Sequence, residues 1–297
     1  MSRRRLLLVD GHAYAYRAFY AIRRLQSPGG EPTNAIYGFI KMVGKLQEKL
    51  APSHLVVVWD GGLAAERLTA LPEYKAQRPA MPDDLAAQID SLREWLTAAG
   101  IAAFCEEGVE ADDWIATAAR EAKSAGLDVV IASSDKDFMQ LVADGVGLFN
   151  PGDKSEKIWT AVEVRAKTGV EPEQIVDWLS LIGDAADNIP GVPGVGPKTA
   201  TDLLNEFRSV AALIEGVARV KSKNVRDRVL ASAETVRRNQ KLIRLKDDLP
   251  FAFSVGEAAM GPKNVERLRA LYARWGFRGL LAETETLMGS QPQATLL

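Results

Sequence analysis

The chain has 297 residues, is 47% hydrophobic and carries a formal charge of −2, so it can bury a substantial core, and two lobes are expected. Its single cysteine, Cys105, excludes an intramolecular disulfide framework, and no stretch approaches the ~20 consecutive apolar residues of a membrane span. The basic Ser2-Arg-Arg-Arg5 is followed by too short an apolar run for a secretory signal, which makes a cytoplasmic protein the expectation.

Leu6 to Val9 reads as a strand ended by Asp10, and Leu55 to Trp59 as a second ended by Asp60. Ile101 to Cys105 reads as a third, with Cys105 taken as a small buried hydrophobe, and Val129 to Ala132 as a fourth, followed by Asp135. Amphipathic segments alternate with these runs, so the pattern is α/β with a mainly parallel central sheet flanked by helices. Ligands of such sheets bind beyond the carboxyl ends of the strands, where Asp10, Asp60 and Asp135 fall. Glu110 to Ala125 reads as a helix whose first turn carries Glu110, Asp112 and Asp113. Taken alone, those acids are explained by capping and the helix dipole, although one carboxylate would suffice. From about Val170 helical patterns take over at Pro172 to Ile182, Pro197 to Phe207, Ser222 to Leu245 and Asn264 to Trp275. They are read as a smaller helical lobe, followed by a frayed tail of linker composition at Gly289 to Leu297.

Nine carboxylates stand out: Asp10, Asp60, Glu110, Asp112, Asp113, Asp135, Asp137, Asp184 and Asp187. If they converge they repel one another unless cations neutralise them, and hard oxygen donors with little His or Cys suit Mg²⁺ or Mn²⁺. Setting those nine aside leaves 30 acidic residues against 37 basic ones, a balance of +7. An acidic spot in a cationic surround fits a metal-dependent enzyme acting on a polyanion. The only histidines are His12 and His54, and no Ser-His-Asp pattern is evident.

Asp184 and Asp187, spaced i, i+3, are expected to share one side of a helical turn. The glycine-rich run Asn188 to Ala200 follows, with Gly191, Gly194 and Gly196 allowing tight turns and close approach, and Pro197 suited to a first helical position. Pro197 separates Gly196 from Lys198-Thr199 and no strand leads in, so this is no P-loop. It reads instead as a hairpin between helices that grips a DNA backbone. Lys198 is the favoured contact, while Arg226, Arg228, Arg237, Arg238 and Lys241 more often mark a solvated face.

Val9-Asp10-Gly11, Tyr16 to Phe19, Trp59-Asp60, Tyr74-Lys75 to Arg78-Pro79, Gly108 to Asp113, Ser134 to Asp137 and Gly183 to Ala200 together resemble the bacterial and phage 5′ nucleases of the flap endonuclease superfamily. The resemblance is strongest to the 5′-3′ exonuclease domain of bacterial DNA polymerase I and runs in order over roughly residues 5 to 280. It implies a PIN-like 5′-nuclease fold, with an α/β domain over 1–168, an arch at about 61–82, a helical DNA-binding domain over 169–285, a helix-three-turn-helix at 183–204 and a flexible tail at 286–297. The implied activity is metal-dependent cleavage of 5′ flaps and 5′ ends at single-strand to double-strand junctions by two or more Mg²⁺ or Mn²⁺ ions. Asp10, Asp60, Glu110 and Asp112 are implied as one metal group. Asp135, Asp137 and Asp184 are implied as a second, with Asp113 and Asp187 contributing nearby or through water. Lys75 and Arg78 would stabilise charge on the transferring phosphate. Arg17, Arg67, Tyr74, Lys75, Arg78, Gly191, Gly194, Gly196, Lys198 and Thr199 would meet DNA, Tyr74 by stacking on an unpaired base. The resemblance also implies K⁺ at the helix-three-turn-helix; a DNA polymerase partner in trans, a monomer, since nothing suggests an obligate assembly, and nucleoid association are further expectations. Two readings compete: a non-catalytic DNA-binding module, which the full set of nine acids disfavours, and a PIN-like RNase, a group generally shorter and without the glycine hairpin.

Overall fold

The computed structural model describes residues 4–250 and 254–289. In chain order they form β1 (Arg5–Asp10), α1 (Gly11–Ala21), α2 (Asn34–Leu50), β2 (His54–Val58), α3 (Ala65–Ala70), α4 (Asp83–Ala98), β3 (Ala102–Phe104), α5 (Ala111–Ser124), β4 (Asp128–Ala132), β5 (Val146–Phe149), β6 (Ile158–Trp159), α6 (Ala161–Thr168) and α7 (Ile175–Ile182). There follow β7 (Gly183–Asp184), β8 (Ile189–Pro190), α8 (Pro197–Phe207), α9 (Val210–Glu215), α10 (Lys223–Ala231), α11 (Ala233–Ile243), α12 (Val265–Trp275) and α13 (Arg278–Gly289). Two compact units result, one of Met1–Trp59, Met81–Phe104 and Ser254–Leu297, the other of Asp60–Ala80 and Cys105–Phe253.

In the first unit β1, β2 and β3 pair in parallel, Leu7 against Leu55 and Val56 against Ala102. Leu6 to Val9 and Leu55 to Val58 are all fully buried, which explains their unbroken apolar runs: strands covered on both faces have no polar side. Asp10 ends β1 and caps α1, its Oδ1 accepting from the Ala13 N–H at 3.0 Å. A Cβ on Gly11 would press into the Trp59 ring, so this position needs glycine for packing. Trp59 stacks on Phe39 of α2 at 5.9 Å and meets His12 edge-on at 5.2 Å. α12 joins this unit through the Trp95 indole N–H, which donates to the Tyr272 hydroxyl at 2.9 Å. α13 runs to Gly289, while residues 290–297 of the expected tail lie outside the described residues.

In the second unit β4 pairs in parallel with β5, and β6 closes that edge antiparallel. The chain is therefore a mixed α/β protein with a mainly parallel sheet flanked by helices, passing into a C-terminal helical fold. Thr160 and Glu163 form a capping box at α6, and Pro197 opens α8 at the position expected for it. α11 is tied to α7 and β8 by Asn239, fully buried, whose Nδ2 donates to Ser180 O at 3.1 Å and Pro190 O at 2.7 Å. The stretch Ser222 to Leu245, read as one helix, is two: α10 ends at Ser232, and α11 starts again from it. Among the described residues no helix is long and apolar enough to cross a membrane.

Candidate metal centre and nucleic-acid interface

The acidic side chains of the second unit arrive by three local devices. Asp135 caps the 3-10 turn Lys136–Leu141, accepting from the Asp137 N–H at 2.9 Å, and so fixes both carboxylates of the Asp-Lys-Asp run. Asp184 ends β7 and Asp187 lies in the turn joining β7 to β8, so neither is in the expected helical turn. Gly183 (φ 78°) and Asn188 (φ 57°) bound that turn in left-handed backbone, which a helix cannot use, and Asp184 Oδ1 accepts from the Ala186 N–H at 2.9 Å. A Cβ on Gly191 would collide with the backbone of Ile182 and Gly183, so the hairpin closes only with glycine there. Glu110 occupies the N-cap position of α5, yet its side chain makes no capping bond, so the bland capping explanation fails for it.

Asp137, Asp184 and Asp187 are all buried and bring one carboxylate oxygen each within 4.8 Å of the others. Burial first, then repulsion from Asp135, Asp187, Asp184 and Asp112, pushes the Asp137 carboxyl well above the usual carboxylate range. Asp135 is raised too, by burial and by Asp187 and Asp184. Asp137 Oδ1 is buried without a hydrogen-bond partner. Cations are the natural complement of such oxygens, and side chains partly play that part: Lys136 Nζ lies 3.1 Å from Asp184 Oδ1, and Arg78 Nη2 lies 2.5 Å from Asp187 Oδ1.

Glu110, 1% exposed, is the centre of a second knot. Its Oε1 accepts from the Ala64 N–H at 3.2 Å and from Arg67 Nη1 at 2.9 Å, and its Oε2 from the Tyr74 hydroxyl at 3.1 Å and from Lys75 Nζ. Burial opposes its charge, but Lys75 and Arg67 overcome that and bring its pKa down to about 2. Burial likewise works against the Lys75 ammonium, and Asp112, Glu110 and Asp187 outweigh it, keeping the ammonium charged. The Tyr74 hydroxyl also reaches Asp187 Oδ2 at 3.3 Å, which joins the two knots.

The segment resembling a mobile arch is strapped to the Asp184–Asn188 turn in the structure. The Lys75 N–H donates to Asp187 O at 3.0 Å, Asn188 Nδ2 to Glu73 O at 2.8 Å and Gln77 Nε2 to Ala185 O at 2.6 Å. Lys75 itself sits at φ 55°, a conformation costing roughly 1–2 kcal/mol that these bonds must offset.

Three sequence expectations change. Tyr74 is 3% exposed and offers no face to a base, because its ring is packed and its hydroxyl spent on Glu110 and Asp187. Arg67 is 4% exposed and grips Asp113 with both Nη atoms, at 2.8 and 2.7 Å, so neither residue lies open to a phosphate or an ion. Cys105 is exposed, its Sγ 3.6 Å from Asp60 O. Asp60 Oδ1 accepts from the Gly62 N–H at 2.9 Å, and Asp10 belongs to the first unit, where Arg17 is exposed on α1. Sequence reasoning also missed Lys136, the Arg67–Asp113 pair and Gln140, whose Nε2 donates to Ile243 O and whose Oε1 accepts from the Leu245 N–H. Only Lys136 had a signal, its place between two acids.

Lys198 is exposed and Thr199 half-buried in the first turn of α8, and a Cβ on Gly196 would meet nothing within 4 Å. Arg228 Nη1 braces the loop through Pro193 O at 3.2 Å.

Residues 5–169 match the family described as 5′-3′ exonuclease, N-terminal resolvase-like domain, and residues 170–266 match 5′-3′ exonuclease, C-terminal SAM fold. The chain belongs to the 5′-3′ exonuclease family. As a member it is a nuclease, and so a hydrolase of phosphodiester bonds. The 5′-3′ exonuclease of Aquifex aeolicus is 37% identical over 98% of this chain and 99% of its own length. DNA polymerase I of Bacillus subtilis is 38% identical over 94% of this chain, which spans only 32% of that polymerase. A bacteriophage T5 flap endonuclease, solved in a pseudo-enzyme-product complex with DNA and metal ions, superposes with a TM-score of 0.67 at 21% identity, covering 97% of this chain and 100% of that one. That likeness shows the shared fold.

Proposed function

We propose that this 5′-3′ exonuclease is a divalent-metal-dependent enzyme, with Mg²⁺ or Mn²⁺ as its ions, that cuts DNA 5′ flaps and 5′ ends where single strand meets duplex. The observation that carries the reading is the buried trio Asp137, Asp184 and Asp187, with the orphaned Asp137 Oδ1, in a chain whose sequence matches the family from residue 5 to 266. Oxygen donors alone, with no imidazole or thiolate among them, fit a hard cation. Asp135, Asp137, Asp184 and Asp187 would hold one ion, and Asp10, Asp60, Glu110 and Asp112 a second. Such ions supply a water acidified toward neutral pH and neutralise the leaving oxygen.

The remaining chemistry belongs to side chains. Glu110 stays ionised at any working pH because Lys75 and Arg67 flank it. Lys75 covers Glu110 and Asp187 in the structure. With those carboxylates given over to a cation, its ammonium would be free to face the phosphate, with Arg78 beside it at the half-exposed rim. No protein nucleophile is required. Residues 1–168, together with Asp184 and Asp187, would carry catalysis, and the rest of 169–285 the duplex, gripped at Gly191, Gly194, Gly196, Lys198 and Thr199, where K⁺ would also bind. The T5 complex with DNA and metal ions supports a DNA substrate, and the polymerase relatives, in which the matched stretch is 32% of a longer chain, support work beside a DNA polymerase. A cytoplasmic, nucleoid-associated monomer completes the proposal.

The test is cleavage of end-labelled 5′-flap DNA, nicked duplex and single-stranded RNA with and without Mg²⁺. Cutting confined to DNA and to Mg²⁺ is expected. Binding without cutting would leave a DNA-binding module, and preference for RNA a PIN-like RNase.

A further inference from the structure

Arg67 lies on α3, in the segment whose basic residues the resemblance assigns to substrate, yet its surroundings give it another task. A guanidinium has five N–H donors, and here five acceptors meet them. Nε donates to Leu242 O at 3.0 Å. Nη1 serves Glu110 Oε1 at 2.9 Å and Asp113 Oδ2 at 2.8 Å, and Nη2 serves Asp113 Oδ1 at 2.7 Å and Arg244 O at 3.4 Å. No donor is left for a phosphate.

The same bonds decide how Glu110 presents itself. Arg67 and the Ala64 N–H fix Oε1, which leaves Oε2 to Tyr74 and Lys75. An arriving cation therefore competes with a lysine for one oxygen, while Arg67 Nη1, itself held by the bidentate grip of the guanidinium on Asp113, keeps the other in place. Asp113 matters for the charge balance: one guanidinium between two carboxylates leaves a net −1, which Lys75 covers in the structure. Without Asp113, Arg67 alone would neutralise Glu110 and weaken it as a ligand. Leu242 O and Arg244 O are carbonyls at the C-terminal end of α11, where a cation is favoured, and the Lys246 N–H returns to Asp113 Oδ1 at 2.9 Å. α3, the start of α5 and the end of α11 are thus tied through one buried side chain.

We propose that Arg67 is a positioning residue that, together with Asp113, orients Glu110 for a divalent cation and makes no contact with nucleic acid. This rests on the metal-nuclease reading. Losing a partner that orients a metal ligand typically weakens metal binding 10- to 100-fold, and lysine cannot replace a bidentate fork.

The experiment measures Mn²⁺ binding by electron paramagnetic resonance and, separately, 5′-flap DNA binding in EDTA, for the wild type, Arg67→Lys and the double variant Arg67→Gln/Asp113→Asn. The double variant removes one buried charge of each sign and so leaves no new unpaired charge, which keeps the test open where Arg67→Lys does not fold; near-ultraviolet circular dichroism checks both. Mn²⁺ affinity is expected to fall at least 10-fold in each folded variant, with DNA affinity in EDTA within twofold of wild type. A 10-fold loss of DNA affinity in EDTA with unchanged Mn²⁺ binding would show Arg67 to be a DNA contact and overturn the inference. Unchanged Mn²⁺ binding and unchanged DNA affinity would overturn it equally. Absence of Mn²⁺ binding by the wild type would sink the metal-nuclease reading itself.

Discussion

Asp137→Asn should stabilise the metal-free protein while removing much of what a divalent cation adds. Asp137, Asp184 and Asp187 hold oxygens within 4.8 Å of one another, so each ionised pair repels by about 3.5 kcal/mol at an effective dielectric of about 20. Lys136 and Arg78 offset part of this, which puts the net gain from removing one charge at roughly 1–3 kcal/mol. The sign with pH follows from the raised Asp137 carboxyl. Its folded-state pKa exceeds the unfolded value near 3.8, so the native state keeps the proton longer and loses stability as pH rises from there through the raised value. Thermal unfolding in EDTA from pH 4 to 8 should show wild-type Tm falling more steeply than that of Asp137→Asn, with the variant ahead by a few degrees at pH 8, at about 2–4 °C per kcal/mol. Added Mg²⁺ at 100 times its Kd should raise wild-type stability by about 2.7 kcal/mol at pH 8 and much less at pH 5, and the variant little at either. A variant less stable than wild type in EDTA at pH 8, or one equally stabilised by Mg²⁺, would refute the reasoning.

Lys198→Ala should weaken duplex binding and flatten the slope of log K against log salt by about 1, measured by fluorescence anisotropy; an unchanged slope counts against a phosphate contact. Tyr74→Phe should cost about 1 kcal/mol of stability for the lost hydroxyl bonds and leave flap affinity unaltered, whereas a base-stacking residue would be indifferent to the hydroxyl in both assays. Gly191→Ala should destabilise by more than about 2 kcal/mol in urea unfolding, since the new Cβ meets backbone that cannot move aside. Asp135→Ala should abolish cleavage but preserve junction binding, and wild-type turnover would remove Asp135 from the metal site.

The strands were readable because their apolar runs are covered on both faces, and α8 because proline is favoured at its first position. The break at Ser232 was not, since polar and apolar residues keep a helical rhythm across it. Asp184 and Asp187 were legible as a pair but not as a hairpin turn, because β7 exists only through its pairing with β8, and i, i+3 spacing fits a tight turn as well as a helix.

What composition could not decide is which carboxylates serve a cation and which serve the scaffold. Asp112 and Asp113 are adjacent and chemically identical, but one residue along a helix turns a side chain by about 100°. That rotation delivers Asp113 to Arg67 and to the Lys246 N–H, while the field of Asp112 acts on Lys75 and Asp137. The partner that makes this distinction, Arg67, stands 46 residues from Asp113 in the sequence, and nothing local marks it. On the proposed reading, an acidic run at a helix start divides within one turn into carboxylates that would serve a cation and one that holds the arginine beside them.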